Sequence, residues 1–225
     1  MSYGPKIVRE IQRTDADSVR ALGDLGTATV HEAYRRRGLL SGIRQIVPAT
    51  RMAGTAVTCL NYPADNLMLQ AAIEVCRPGD VLIVAVTAPS QHGMLGDLLA
   101  TSCKARGLAG VVLDSGVRDV DELRALGLPV FSRGISALGT TKNGFGYVNV
   151  PVSCGGVVVY PGDAVVGDTD GVVAVERDAV DETLRQARNR VENEDRLRTA
   201  LTQGESALDL GDLREHLTVG GAEWV

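Results

Sequence analysis

VLIVAV (residues 81–86), DLLATSCKARG (97–107), AGVVL (109–113), DVDELRALG (119–127) and LPVFS (128–132) decide the fold of this chain. Uninterrupted apolar runs of strand length, rich in valine, alternate with charged segments that end at Gly107 and Gly127. Such a run lacks the polar alternation of a half-exposed strand, so it reads as a strand covered on both faces, and a glycine after the charged segment reads as a helix stop. The succession is β-α-β-α-β with short connections, which implies right-handed crossovers between parallel strands. Ligands of parallel sheets gather beyond the carboxyl ends of the strands. Asp97 follows the loop leaving the first strand and Arg118-Asp119 the polar, glycine-containing loop (114–119) leaving the second, so two segments distant in sequence should meet on one edge.

Outward from this centre, residues 15–37 carry Val19, Leu22 and Leu25 at helical spacing, with Gly26 dividing the stretch into two short helices. Beyond Thr140 the pattern changes to short glycine- and valine-rich strands at 148–152, 156–160, 164–167 and 172–175. Pro-Gly-Asp occurs at 78–80 and again at 161–163, each time leading into a valine-rich strand, which we read as shared turn chemistry rather than a repeat. A long helix is expected from Asp178 to about Gln203, stopped by Gly204. Its apolar seam runs Val180, Leu184, Ala187, Val191, and the next step is Glu194. Because the stripe then shifts to Leu197 and Leu201, Glu194 has a plain solvent-facing reading beside a sharper one, delivery into a partner subunit's site. No linker or low-complexity tract divides the chain, so residues 1–225 read as a single α/β domain of a layered α/β/β/α type, with a central parallel segment and a long C-terminal helix.

Composition narrows the chemistry. Of 225 residues 44% are apolar, ample for a folded interior, and the apolar runs are far shorter than a membrane span. The opening Met1-Ser2-Tyr3-Gly4-Pro5-Lys6 lacks the apolar stretch of a secretory signal, so a soluble cytoplasmic protein with no membrane partner is expected. A net charge of −5 without a basic cluster interleaved with aromatics argues against a nucleic-acid partner. Cys59, Cys76, Cys103 and Cys154 have no metal-type spacing and read as reduced core residues, and His31, His92 and His216 offer little for a zinc site. Any metal must then be held by carboxylates.

Asp97 in Gly96-Asp97-Leu98-Leu99-Ala100 and Asp119 in Gly116-Val117-Arg118-Asp119 each stand at a helix start. Alone, an aspartate there caps its own helix. Together, an arginine, two carboxylates and a helix N-terminus whose amides and dipole favour an anion make a site for an anion and a hard metal ion on one sheet edge.

Asp97, followed after twenty residues by Arg118-Asp119, resembles the motif of the 4-hydroxy-4-methyl-2-oxoglutarate / 4-carboxy-4-hydroxy-2-oxoadipate aldolases, which belong with the regulators of ribonuclease E activity. Thr29-Val30-His31-Glu32-Ala33, Val148-Asn149-Val150-Pro151-Val152 and Pro161-Gly162-Asp163 through Asp170-Gly171-Val172 extend the resemblance over nearly the whole chain. It implies a class II pyruvate aldolase in which Asp119 binds Mg2+ or Mn2+ directly and Asp97 anchors a metal-bound water. Backbone amides of Leu98, Leu99 and Ala100 would hold the carboxylate of a 2-oxo acid substrate, and Arg118 would stabilise the oxyanion. Asn66 and Lys142 would stand near the substrate, and Glu194 would come from a neighbouring subunit of a homotrimer or hexamer. His31-Glu32 carries no assigned role. The same resemblance leaves open two alternatives, a non-catalytic protein-binding regulator of an RNA-degrading enzyme and a dedicated oxaloacetate decarboxylase.

Overall fold

A computed structural model describes residues 4–222. Met1, Ser2 and Tyr3 of the N-terminal stretch read above, and residues 223–225 of the expected 1–225 domain, lie outside the described residues. In chain order the strands are β1 (Lys6–Ile7), β2 (Arg44–Gln45), β3 (Met52–Asn61), β4 (Asp80–Val86), β5 (Gly93–Leu95), β6 (Gly110–Val117), β7 (Val130–Ile135), β8 (Tyr147–Val148), β9 (Val152–Cys154), β10 (Val157–Val159), β11 (Ala164–Asp168) and β12 (Gly171–Val175). The helices are α1 (Ala16–Leu25), α2 (Thr27–Ala33), α3 (Leu67–Val75), α4 (Asp97–Ala105), α5 (Val120–Leu126), α6 (Val180–Thr202), α7 (Ala207–Leu210) and α8 (Arg214–Val219). One 3-10 turn at Arg177–Ala179 leads into α6. Two compact units divide the chain, Met1–Ala187 and Arg188–Val225, with the division inside α6.

The first unit contains the expected crossovers. β4, β6 and β7 run parallel, joined through α4 and α5. Preceding them is a crossover the sequence did not reveal, β3-α3-β4, also parallel. β3 (MAGTAVTCLN) is almost wholly buried but built mostly from alanine, glycine, threonine and cysteine, so it carries no valine- or leucine-rich run to announce it. The main path of the sheet is β1-β8-β3-β4-β6-β7-β2, and β11 adds to β3 antiparallel and carries β12 with it.

Both faces of the parallel strands are covered, which is why β4 reads as a continuous apolar run. Leu82 and Val84 pack with Leu69, Ala100, Cys103 and Leu123 of the α3, α4 and α5 layer. Val81 and Ile83 pack on the opposite side with Phe131, Val152, Cys154, Val159 and Val165, under β9 to β12. Val166 and Val173 belong to a third cluster with Val19, Leu22, Val30 and Leu184 from α1, α2 and α6. The layers are therefore helix, sheet, strands and helix, the α/β/β/α arrangement expected. All four cysteines are free and buried, and burial raises the thiols of Cys59 and Cys103 to about 12.

The two Pro-Gly-Asp turns share one geometry. Gly79 and Gly162 adopt φ of 86° and 98°, a region open to glycine. The aspartate that follows folds back in each case. Asp80 Oδ2 accepts from the Arg77 amide at 2.7 Å, and Asp163 Oδ2 accepts from the Tyr160 amide at 2.8 Å. Burial raises the Asp163 carboxyl above the ordinary carboxylate range, against its backbone hydrogen bonds. Asp80 has a further partner, since Arg13 donates to both of its oxygens at 2.9 Å.

The reading of 114–119 as a loop needs correction, because β6 continues through Asp114, Ser115 and Gly116 to Val117. A register irregularity against β7 between Leu113 and Gly116 lets the strand resume after the polar residues, and β5 pairs alongside this extension. Gly116 is required here by close approach. A Cβ at that position would stand 2.8 Å from the Gln91 carbonyl oxygen and 3.0 Å from that of His92. The extension carries Arg118 and Asp119 to the carboxyl end of the sheet, where β5 delivers Gly96 and Asp97.

Candidate active site

Arg118 and Asp119 leave β6 and are stitched to the start of α4 by two bonds. The Arg118 amide donates to the Leu95 carbonyl at 3.0 Å, and the Asp97 amide donates to Asp119 Oδ2 at 3.2 Å. Asp119 adopts φ 55° and ψ 46°, a left-handed conformation that costs a non-glycine residue roughly 1 kcal/mol or more and that aspartate tolerates better than most. The turn points its carboxylate across the sheet edge. Neither aspartate caps its own helix. Gly96 occupies the N-cap of α4 in extended conformation with Asp97 as the first helical residue, and neither α4 nor α5 receives a capping bond from the side chain of its own N-cap residue. The local capping reading fails because Asp119 is committed to a neighbouring helix, a partner set by strand pairing.

Arg118 Nε stands 3.6 Å from Asp119 Oδ2, and the Arg118 side chain is 46% exposed. Glycine makes room for both. A Cβ on Gly96 would meet Asp119 Oδ2 at 2.2 Å and Arg118 Nε at 3.1 Å, and one on Gly93 would meet the Arg118 Cβ at 3.0 Å. Gly96 has φ −130°, comfortable for alanine, so any effect of Gly96→Ala comes from the added methyl. We expect Gly96→Ala to push Asp119 off the Asp97 amide and to cost about 1 kcal/mol in urea unfolding. A crystal structure of the variant with that bond intact would refute the fit.

A cavity of about 360 Å3 opens over this corner. Asp97, Leu98, Leu99 and Arg118 line it together with Asn66 and Lys142, so six of the residues singled out from the sequence share one space. Asn66, buried, is held by donation from Nδ2 to the Met94 carbonyl at 3.0 Å. The amides of Leu98 and Leu99 lie in the first helical turn, where no intrahelical acceptor exists. Ala100 differs from expectation, because its amide closes the first helical bond to the Gly96 carbonyl at 3.0 Å and its side chain is buried in the core. That amide is already used.

Three residues named from the sequence, His31, Glu32 and Glu194, are elsewhere. His31 and Glu32 lie on α2 and do not line the cavity, and Glu32 pairs with Arg36 at 3.1 Å. Glu194 belongs to the second unit, where it pairs with Arg190 one helical turn away at 2.8 Å.

Sequence reasoning missed Gln70 and Thr140 on the cavity wall, and Asp65, the neighbour of Asn66 in the chain. Asp65 precedes an apolar helical run, the signature of an N-cap, and it does accept the Leu67 amide through Oδ1 at 2.9 Å. Its other oxygen accepts the Thr141 hydroxyl and the Asn143 amide, both at 2.6 Å. Burial pushes this carboxyl up, but these hydrogen bonds and one from the Gly144 amide outweigh it and bring the pKa to about 2.

Among the described residues no group of three or more His, Cys, Asp or Glu side chains is placed to hold a metal ion, and no helix is long and apolar enough to cross a membrane. A family model described as RraA-like, Aldolase/RraA, matches residues 27–174, a span containing all of the cavity's lining. The chain belongs to the RraA-like family. A protein of Halalkalibacterium halodurans, itself only provisionally named a 4-hydroxy-4-methyl-2-oxoglutarate aldolase, is 32% identical over 76% of this chain and 81% of its own. An uncharacterized protein of Methanocaldococcus jannaschii is 36% identical over 77% of this chain and 85% of its own. Among solved structures, Streptomyces coelicolor RraAS2, described as an unusual member of the RNase ES inhibitor RraA family, superposes with a TM-score of 0.76 at 32% identity, covering 84% of this chain and 99% of that one. The RraA-like family thus joins proteins named for an aldolase activity with proteins named for inhibition of an RNA-degrading enzyme.

Proposed function

We propose that this RraA-like protein is a divalent-metal-dependent class II pyruvate aldolase. It would cleave 4-carboxy-4-hydroxy-2-oxoadipate to pyruvate and oxaloacetate, or 4-hydroxy-4-methyl-2-oxoglutarate to two pyruvates, with oxaloacetate decarboxylation as a companion activity. One observation carries this reading: Asp119 is turned onto the N-terminus of α4, beside a cavity whose wall bears Asp97, Arg118, Asn66 and Lys142. The donor set fits a hard ion. Asp119 and Asp97 offer only oxygen, and with so few protein ligands an ion there would keep several waters, the habit of Mg2+ and Mn2+ rather than of zinc. Asp119 would hold the ion directly and Asp97 through water. Bound there, it would supply Lewis-acid polarisation of the substrate's 2-oxo group.

The chain's own groups have separable tasks. Amides of Leu98 and Leu99, at the positive end of α4, would hold the carboxylate next to the 2-oxo group. As the C–C bond breaks, the C4 hydroxyl gives its proton to water and becomes a carbonyl, the bonding pair passes to the pyruvyl fragment as an enolate, and a proton from water returns to the enolate carbon to give pyruvate. Arg118 would stand beside the oxygen that gains the negative charge and donate hydrogen bonds to it. Loss of CO2 from oxaloacetate leaves the same enolate, which is why the two activities belong together. Asn66 and Lys142 would contact the far end of the substrate.

Large apolar side chains stay exposed on and near this corner, Leu98 at 78%, Leu138 at 52% and Phe145 at 64%. They support assembly into a trimer or hexamer in which a neighbouring subunit covers the cavity and Glu194 of that neighbour reaches the metal's waters.

Pyruvate release, followed by a coupled dehydrogenase with each substrate, with and without Mg2+ or Mn2+, tests the proposal. Metal-dependent release is expected, and none from either substrate would sink it. A second reading, regulation of an RNA-degrading enzyme by protein binding, draws support from the RraAS2 relative. A dedicated oxaloacetate decarboxylase would reveal itself by a kcat/KM that favours oxaloacetate.

A further inference from the structure

Asn66 and Lys142 are far apart in sequence and come from a helix start and a loop. What joins them is a single buried carboxylate. Asp65, 4% exposed, accepts the Leu67 amide at 2.9 Å on the α3 side, and the Thr141 hydroxyl and Asn143 amide at 2.6 Å on the loop side. Two main-chain bonds run in parallel with it, from the Asn66 amide to the Thr141 carbonyl at 3.1 Å and from the Thr141 amide to the Ala64 carbonyl at 2.8 Å. Gly144 completes the fit, since a Cβ there would stand 3.0 Å from the Asp65 Cγ. Lys142 sits inside the loop so gripped, and Asn66 is the residue next to Asp65.

We infer that Asp65 is a positioning residue of the cavity: by gripping the 141–144 loop and the first turn of α3 at once, it sets how Lys142 and Asn66 face the substrate. Charge matters to this task. All the partners are donors, so a carboxylate can accept from both sides, whereas an amide in its place would turn an N–H2 toward a donor on one of them. The kinetic consequence rests on the aldolase reading, with Asn66 and Lys142 binding the part of the substrate remote from the breaking bond. Loss of the grip should therefore weaken binding more than it slows the chemistry.

Asp65→Asn in the full chain, assayed with metal present, is expected to raise KM about tenfold while kcat stays within about threefold. A role confined to stability would instead lower the active fraction, reducing kcat and the unfolding midpoint at constant KM. Thr141 lies at the surface, so Thr141→Val should fold even where Asp65→Asn does not. It removes one donor and should raise KM by about threefold, and Thr141→Ser, which keeps the hydroxyl, should restore it. An unchanged KM in Thr141→Val, or no rescue by serine, would overturn the inference. Should the wild type release pyruvate from neither substrate, the aldolase reading has failed separately, and hydrogen exchange decides the grip. Faster exchange at the Leu67 and Asn143 amides in Asp65→Asn, with β3 and β4 unchanged, upholds it, and equal exchange refutes it.

Discussion

Arg118→Ala should lower kcat for metal-dependent pyruvate release by a hundredfold or more and leave the fold intact. Removing a donor from a developing oxyanion typically costs about 3 kcal/mol of transition-state stabilisation. The stability of the chain has little at stake in this side chain, which is nearly half exposed and whose ion pair with Asp119 is long at 3.6 Å. Its main-chain bond to the Leu95 carbonyl survives the substitution. A variant with wild-type circular dichroism and unfolding midpoint but hundredfold slower turnover would assign Arg118 to the chemistry. Retained turnover would remove it from the mechanism. Retained binding to an RNA-degrading enzyme without any turnover in the wild type would favour the regulator reading.

Asp80→Ala is expected to produce the largest loss of stability, about 3 kcal/mol in urea unfolding, equivalent to roughly 6–12 °C in Tm for a chain of this size. Asp80 is 2% exposed and accepts three bonds, two from Arg13 and one from the Arg77 amide, so its removal strands a guanidinium that is itself only 18% exposed. Arg13→Met should cost less, because the carboxylate left behind still accepts the Arg77 amide. The effect falls at the start of β4, so the cavity should suffer only through the fraction of molecules unfolded. Equal losses for the two substitutions would contradict this account.

The same comparison of local and distant partners explains how far the sequence could be read. β4, α4, β7 and α5 were legible because their apolar runs and glycine stops report burial and helix ends locally, and α1, α2 and α6 were legible from the same signals. β3 was invisible, since a strand squeezed between neighbours can be made of small residues. The extension of β6 was hidden for a related reason, because Asp114, Ser115 and Gly116 look like loop residues and are drawn into the sheet only by pairing with β5 and β7. Asp65 was not singled out at all, because most of its side-chain hydrogen bonds go to the distant 141–144 loop.

By itself, then, the sequence determined that crossovers would build a parallel sheet covered on both faces, and that the segments around Asp97 and Arg118-Asp119 would leave it at the same edge, because hydrophobic periodicity is a local property that survives without the fold. Tertiary structure alone decided that Asp119 serves the start of α4 instead of α5, that the Ala100 amide is spent within the helix, and that Asn66 and Lys142 face the same cavity through Asp65. Those choices depend on register and close approach between segments separated by tens of residues, down to the missing Cβ of Gly96, and no local pattern records them.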